Sequence, residues 1–547
     1  MRRRPLPCLS LLAAVALGGC AASRPAPAVD DAIAGPEWAR GAVFYEVFVR
    51  SFQDSDGDGK GDLPGLIARL DELNDGNPAT TGDLGVDALW LMPVFKSPSY
   101  HGYDATDYET INRDYGTNED FARLCREAHR RGMRVIVDLV LNHTSSQHPW
   151  FLLSASSRPR QYRDWYIWRK ENPGWTRTWD TAPAWHRLPE RPDDWFYGLF
   201  WEEMPDLNWR NPAVREEMKV VAKLWLDRGA DGFRLDAVRH LVEDGPGAAQ
   251  EDTEGTHEVL KEFSAWVRVV KPDALLVGEA WTDKMPTFVR YFGDTRKLPT
   301  GDELPMLFDF GLSGAILEGL KSGRGAPIAA RLEANRAAFP PGVIDAPFLT
   351  NHDMIRVGAQ LGGDAAKLRS GAAILLTLPG APFLYYGEEI GMRQPPNNDD
   401  EFKRTPMQWD ATPGGGFTSG TPWQRLPKDR AGLDVASQRA DPASLRSRYR
   451  DLIRLRHASE ALRRGDLEVL PAPEGLLAFA RRGAGEAVLV LHNLSDAAAT
   501  AGPLVPEAGR LVPLLADPGV APPQAGVGGW TVTLPPHASG VWRILAR

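Results

Sequence analysis

The chain has 547 residues, 43% hydrophobic and 25% charged, which is an ordinary globular balance with length enough for two or three domains. A formal charge of −9 and a pI near 5.8 argue against nucleic acid or an anionic membrane surface as a partner. Eighteen tryptophans are a rich supply of flat apolar faces, some of which can stack on sugar rings while others fill cores.

Met1-Arg-Arg-Arg followed by the apolar run Leu9–Leu17 predicts a lipoprotein signal peptide over residues 1–19, too short to cross a bilayer as a permanent helix. Leu17-Gly-Gly-Cys20 resembles a bacterial lipobox, which implies cleavage before Cys20 and lipidation of its thiol. The expected product is an exported protein held on the periplasmic side or cell surface by its lipid alone, with the Ala/Pro-rich residues 20–36 as a tether. Once Cys8 and Cys20 are accounted for, only Cys125 remains, so the folded part has no intrachain disulfide available. Cys125 shares helical spacing with Phe121, Leu124 and Ala128 and reads as core.

Ala42–Val49 predicts a first strand, Leu63–Leu73 a helix, and Val86–Met92 a second strand stopped by Pro93. Asn118–Arg131 is an amphipathic helix closed by Gly132, and Arg134-Val-Ile-Val-Asp138 is a third strand. This βα alternation demands a parallel sheet. Residues 143–208, crowded with Trp, Pro and Arg, break the rhythm and read as an inserted domain. The alternation resumes with a helix over Pro212–Arg228 and strands at Gly232–Asp236, Leu275–Glu279, Met306–Phe310, Phe348–Thr350 and Pro382–Tyr386. Helices over Ala366–Leu378 and Leu445–His457 flank the eighth strand and the Gly/Pro/Asn-rich stretch 391–440 that follows it. The expected fold class is α/β: a (β/α)8 barrel over 37–142 and 209–460. From residue 461 to 547 short strands without intervening helices predict an antiparallel β-sandwich. No internal repeat and no GxGxxG frame is present.

Asp54-Ser-Asp-Gly-Asp-Gly-Lys-Gly-Asp62 sets carboxylates at every second position among glycines, a hard-oxygen loop suited to Ca²⁺, with Asp54, Asp56, Asp58, Lys60 and Asp62 as the expected ligand segment. It is not an EF-hand, because Gly65 stands where the bidentate Glu would be needed. Asp138, Asp236, Glu279 and Asp353 each end a short apolar run, the placement from which barrel strands deliver catalytic groups. Retaining glycoside hydrolysis needs one carboxylate to attack and a second, with raised pKa, to protonate the leaving oxygen. Arg234 lies two residues before Asp236, on the same strand face, where it would keep that carboxylate ionised.

Asp138-Leu-Val-Leu-Asn-His143, Gly232-Phe-Arg-Leu-Asp-Ala-Val-Arg-His240, Gly278-Glu-Ala-Trp281 and Phe348-Leu-Thr-Asn-His-Asp353 resemble the four signature regions of the α-amylase family, glycoside hydrolase family 13. Met204-Pro-Asp-Leu-Asn208 resembles the fifth, in a form between the oligo-1,6-glucosidase and neopullulanase groups. Ser99-Tyr-His-Gly-Tyr-Asp104, the acidic loop and the lipobox look like the exported calcium-binding α-amylases of subfamily 36. The resemblance implies Asp236 as nucleophile, Glu279 as general acid/base and Asp353 as the carboxylate that grips sugar hydroxyls. It implies Arg234, His143 and His352 as contacts to the sugar being cleaved and Tyr103 as its stacking platform. It makes 143–208 domain B and implies a second calcium site at Asn142, Asp206 and the backbone of His240.

Ala237 after the nucleophile, where α-1,6-acting relatives tend to carry Val, looks like an α-1,4 preference. Arg404-Thr-Pro-Met-Gln-Trp-Asp410 instead resembles a stretch frequent in α-glucosidases and trehalose synthases. The expectation is an endo-acting, retaining α-amylase on starch, glycogen or maltodextrins, working as a monomer; the alternative is an α-glucosidase or transglycosylase. A non-catalytic sugar-binding relative is the reading from another class, and it sits badly with the presence of all three acids.

Overall fold

The computed structural model describes residues 35–156, 160–298 and 301–546. The expected signal peptide, Cys20 and the tether up to residue 34 lie outside the described residues.

Eight short strands form one parallel sheet: β1 (Phe44–Val47), β2 (Ala88–Leu91), β3 (Arg134–Leu139), β4 (Gly232–Leu235), β5 (Leu275–Gly278), β6 (Met306–Phe308), β7 (Ile344–Ala346) and β8 (Phe383–Tyr385). Each strand from β1 to β7 pairs with the next, and β8 pairs with β1 in the register Phe44–Phe383. The ring closes between β7 and β8 through a parallel bridge from Phe348 to Phe383 and a 2.8 Å bond from the Ala381 amide to the Asp345 carbonyl. This is the (β/α)8 barrel, with helices such as Asn118–Arg130 and Pro212–Asp227 outside it.

The seventh strand departs from the sequence reading, which placed it at Phe348–Thr350. Pro347 has no amide hydrogen to donate, so the β6–β7 ladder ends at Ala346. Beyond the single bridge from Phe348 to Phe383, Phe348, Leu349 and Thr350 run as a buried outgoing loop, and that burial, not a ladder, explains their character.

Alternation of side chains decides what the barrel encloses. Phe44, Trp90, Ile136, Val277, Phe308 and Phe383 point inward and form the inner core, with Phe44 and Phe383 stacked at 4.3 Å. Burying each of these large side chains contributes about 1.5–3 kcal/mol. Their neighbours Tyr45, Leu89, Val137 and Phe233 face the helices. By the same period, Glu46, Asp138 and Arg234 point inward, one residue from an outward apolar side chain, and Asp138 and Arg234 are register partners across β3 and β4.

Between β3 and β4 the chain forms a helix, Pro149–Ala155, and a small antiparallel sheet of Trp168–Arg169, Trp195–Tyr197 and Trp185–Arg187. A bridge from His143 to Asp206 and a 2.8 Å bond from the Leu207 amide to the Asn142 carbonyl tie the end of this excursion to the segment leaving β3.

The C-terminal region is antiparallel. One sheet contains β9 (Asp466–Val469), β10 (Leu476–Gly483), β11 (Glu486–Asn493), β13 (Ala508–Ala516) and β16 (Ser539–Ala546); the other contains β12 (Ala499–Leu504), β14 (Gln524–Gly526) and β15 (Gly529–Leu534). Leu489, Leu491 and Trp542 of the first sheet share a core with Ala501, Val532 and Leu534 of the second. Among the described residues no helix is long and apolar enough to cross a membrane.

Candidate active site

β4 ends at Leu235, and Asp236 follows it into the mouth of the barrel. Ala237 then takes a left-handed conformation (φ 48°), which costs a non-glycine residue about 1–2 kcal/mol. That turn aims the Ala237 amide at β5's exit, where it donates to Glu279 Oε2 over 3.0 Å.

Arg234 is 1% exposed and organises the charges. Its Nη1 lies 2.6 Å from Asp236 Oδ1 and 2.9 Å from Asp138 Oδ1, and its Nη2 lies 2.8 Å from Glu279 Oε1. The Trp90 ring packs against the guanidinium at 5.4 Å, so one cation serves three carboxyl groups in a nearly dry setting. Burial pushes the Glu279 carboxyl up to about 8, with Asp236 and Asp353 reinforcing the rise and Arg234 opposing it. Burial likewise raises Asp138 to about 7. Desolvation would lower Arg234, but Asp138 and Glu279 outweigh it and hold the guanidinium firmly charged.

Asp353 sits after β7 with cations on two sides. His352 Nε2 is 3.1 Å from Asp353 Oδ2 and Arg404 Nη2 is 2.8 Å from Oδ1. Burial alone would raise this carboxyl, yet His352 and Arg404 hold it far below the usual carboxylate range. The other nitrogen of His352, Nδ1, is 2.6 Å from Glu46 Oε1. Burial opposes a charge on His352, but Asp353 and Glu46 override it and push its pKa up to about 10. The Tyr103 hydroxyl is 2.6 Å from His352 Nε2 and donates to Asp138 Oδ2 over 3.2 Å. His143 is buried, which lowers its pKa and keeps it neutral, and its Nε2 has no partner among the described residues.

These groups surround a cavity of about 750 Å³ whose wall includes Tyr103, His143, Asp236, Glu279, Asp353 and Trp281. A buried protonated acid beside an ion-paired carboxylate is the electrostatic asymmetry that a nucleophile and a general acid require.

In the acidic loop, ligand atoms of Asp54, Asp56 and Asp58 gather within 4.8 Å of one another. Gly57 and Gly59 have φ of 88° and 93°, and their amides bind Asp54 at 2.7 and 2.8 Å. Asp62 stands apart from that cluster: its Oδ1 caps the helix Leu63–Ala68 through the Gly65 amide and its Oδ2 accepts from Ser55. The Lys60 ammonium pairs with Asp114 at 3.0 Å. At the base of the 143–208 excursion, Asn142 Nδ2 donates to Asp206 Oδ2 over 3.0 Å, and Asn142 Oδ1 is buried without a partner. Burial raises Asp206 to about 8. The ring of His240 packs against Phe200 and Trp179.

Sequence reasoning did not assign roles to Glu46, Arg404, the Ala237 amide or Trp281. A lone carboxylate in the apolar run Ala42–Val49 is the one signal that pointed to Glu46.

A model of the α-amylase catalytic domain matches residues 46–465. "Alpha-amylase 3" of Dictyoglomus thermophilum is 41% identical over 464 residues, covering 84% of this chain and 85% of its own length. An oligo-1,6-glucosidase of Heyndrickxia coagulans is 33% identical, covering 84% of this chain and 92% of its own length. Among solved structures, the α-amylase from H. orenii superposes with a TM-score of 0.81 at 38% identity, covering 93% of this chain and 100% of that one.

Proposed function

The chain belongs to the α-amylase family, glycoside hydrolase family 13, and on that premise we propose that it is a retaining, endo-acting α-amylase that cleaves α-1,4-glucosidic bonds in starch, glycogen or maltodextrins. The observation that carries this reading is the guanidinium of Arg234 held between Asp236 at 2.6 Å and Glu279 at 2.8 Å, with Glu279 raised to about 8.

Asp236, ion-paired to Arg234, attacks the anomeric carbon while Glu279 passes its proton to the departing glycosidic oxygen. The bond from that carbon to the leaving oxygen breaks as the ester to Asp236 forms. Glu279, now a carboxylate, takes a proton from water, whose oxygen displaces Asp236 and restores the α-configuration. Asp353, His352 and Tyr103 grip the hydroxyls and face of the sugar at the reacting centre, and His143 offers its free Nε2 to the same ring.

The proposal includes calcium. The clustered oxygens of Asp54, Asp56 and Asp58 fit a hard divalent cation, and the unpartnered Asn142 Oδ1 beside Asp206 fits an oxygen ligand of a second ion. A bound ion would cancel carboxylate repulsion and stiffen the loops that frame the barrel mouth. The proposal also includes export and a lipid anchor at Cys20, on the strength of the N-terminal sequence.

A second reading, an exo-acting α-glucosidase or transglycosylase, draws on the charged wall beside Asp353. There Arg404 is paired with Asp353 at 2.8 Å and Asp400 at 3.1 Å, a charged wall that suits a short sugar better than a long chain. Amylose digestion followed by iodine colour, reducing ends and product anomer separates the two. Rapid colour loss at few new ends with α-anomers supports the endo-amylase; slow colour loss with glucose accumulating supports the second reading. No new reducing ends on any α-glucan would end both.

A further inference from the structure

Asp353 and Arg404 meet in the cavity wall from positions 51 residues apart, and neither lies within a strand or helix. The segment that carries Arg404 therefore needs some other support. Its successive carbonyls are each taken by a side chain from elsewhere in the fold. The Lys403 carbonyl accepts from Arg356 Nε over 2.8 Å and from the Tyr385 hydroxyl over 3.1 Å. The Arg404 carbonyl accepts from Ser51 Oγ over 2.5 Å, and the Thr405 carbonyl from the Tyr386 hydroxyl over 2.7 Å.

Arg356 is the centre of this arrangement. It is 2% exposed and lies behind the cavity wall, not in it. Its guanidinium packs over the rings of Tyr385 and Tyr386 at 4.3 and 4.6 Å, and its Nη1 donates to the Tyr386 carbonyl over 2.7 Å. Its backbone amide donates to Gln394 Oε1 over 2.9 Å. The partners of this guanidinium are carbonyls and ring faces, with no ion pair among the described residues. A cation buried in neutral company is costly to keep, and the fork it makes between β8 and the Lys403 carbonyl is what the fold gains from it.

The bracing runs both ways. Lys403 Nζ returns to the Asp353 carbonyl over 3.0 Å and to Asp400 Oδ1 over 2.9 Å. Arg404 Nε donates to the His352 carbonyl over 3.1 Å, and its Nη2 reaches Asp353 Oδ1 at 2.8 Å. Residues 352–356 and 403–405 thus fix one another, and the Arg404 guanidinium carries that alignment onto the Asp353 carboxylate.

We propose that Arg356 is a positioning residue for the cleavage reaction: by holding the Lys403 carbonyl against β8 it sets where Arg404 stands, and through Arg404 the orientation in which Asp353 grips the sugar. Arg356 itself touches no substrate. The proposal rests on the α-glucan hydrolase reading and adds to it a residue outside the cavity on which the geometry of the reacting centre depends.

The test is a double-variant cycle on the full chain with maltopentaose, reading kcat and KM separately. Arg356→Met keeps the apolar stem and removes the fork. It should lower kcat roughly ten- to hundredfold while KM moves by no more than about threefold, because Asp353 is misaimed and not removed. In an Arg404→Met background, where nothing is left to aim, the same change should cost less than about twofold. A merely structural role would lower kcat by the same factor in both backgrounds. That additive result would overturn the proposal, as would an unchanged kcat in Arg356→Met. If Arg356→Met does not fold, Tyr385→Phe with Tyr386→Phe removes the hydroxyls that hold the Lys403 and Thr405 carbonyls and keeps the rings under Arg356. That pair should lower kcat in the otherwise unaltered chain and leave Arg404→Met as it was; equal losses in both would again overturn the proposal. An unaltered chain that leaves maltopentaose whole would overturn the hydrolase reading itself, and the positioning role with it.

Discussion

His352 Nδ1 lies 2.6 Å from a carboxylate oxygen of Glu46, inside the barrel and out of contact with solvent. Glu46 therefore shares with Asp353 the task of keeping the imidazole protonated, and the imidazolium in turn steadies Asp353. Because the His352 pKa of about 10 exceeds the ~6.5 of an unfolded histidine, its contribution to stability is complete below about pH 6.5 and drains away as the pH climbs toward 10.

Glu46→Gln keeps the shape and an acceptor for Nδ1 but removes the charge. The His352 pKa should fall, bringing loss of its proton into the assay range. We expect kcat/KM near parity with the unaltered chain at pH 6 and about twofold lower at pH 9, since a fall of about one pKa unit from about 10 leaves roughly half of the imidazole charged there. Glu279 titrates in both proteins and cancels in the ratio. A ratio that stays constant across this pH range would show that Glu46 acts through packing and not through charge.

Glu279 should set the alkaline limb of kcat/KM in the unaltered enzyme, with activity declining near pH 8 as the acid loses its proton. The linkage has the same sense as that of His352, because both pKa values are raised on folding. A carboxyl raised on folding costs no stability below about pH 4.5 and subtracts progressively as the pH rises toward 8. Glu279→Gln should slow cleavage of maltopentaose by about 10²–10⁴-fold while sparing the first step with α-maltosyl fluoride, visible as a burst of fluoride. Equal loss on both substrates would argue against an acid role.

Which parts of this site can be read from sequence follows from how local each signal is. Asp236, Glu279 and Asp353 announce themselves because a buried run ending in a carboxylate has few explanations, and Arg234 follows from the strand period. Glu46 meets His352 across 306 residues, and nothing near Glu46 in the chain marks that partner. The seventh strand was misplaced because apolar character reports burial, whereas Pro347 decides pairing. Composition supplies eighteen tryptophans, but only the fold buries Trp90 and Trp225 and leaves Trp281 open to the cavity. In the C-terminal sandwich, β12, β13 and β14 carry Gly or Pro residues that read as turns, so the sequence alone does not mark them as strands.

Arg234→Met would leave the carboxyls of Asp138, Asp236 and Glu279 without their shared cation in a buried setting. Breaking such a cluster by removing one partner costs about 3–5 kcal/mol, so a clear fall in Tm should accompany loss of activity. Raising Asp138 and Glu279 further would let them protonate, so the Tm deficit should be smallest in acid and grow with pH. A deficit that is the same at pH 5 and pH 8 would mean that the lost packing against Trp90 dominates.

Calcium at the acidic loop makes a separate, thermal prediction. After chelation, adding Ca²⁺ at a hundred times its Kd should stabilise the fold by about 2.7 kcal/mol, a rise of a few degrees in Tm. Asp54 is not the residue to change, since its oxygens also hold the Gly57 and Gly59 amides and the Thr418 hydroxyl, and removing it would unpick the loop itself. Asp56 and Asp58 are exposed and accept from the Asp58 and Lys60 amides respectively, bonds an amide oxygen can also accept, so Asp56→Asn with Asp58→Asn removes charge while keeping the fold. The double variant should melt near the chelated unaltered chain and lose the part of the Ca²⁺ response that belongs to this loop. Any residual response should then vanish with Asn142→Ala, which deletes the unpartnered oxygen beside Asp206. If the double variant responds to Ca²⁺ as fully as the unaltered chain, the loop is an acidic turn held by its own amides and the ion binds elsewhere.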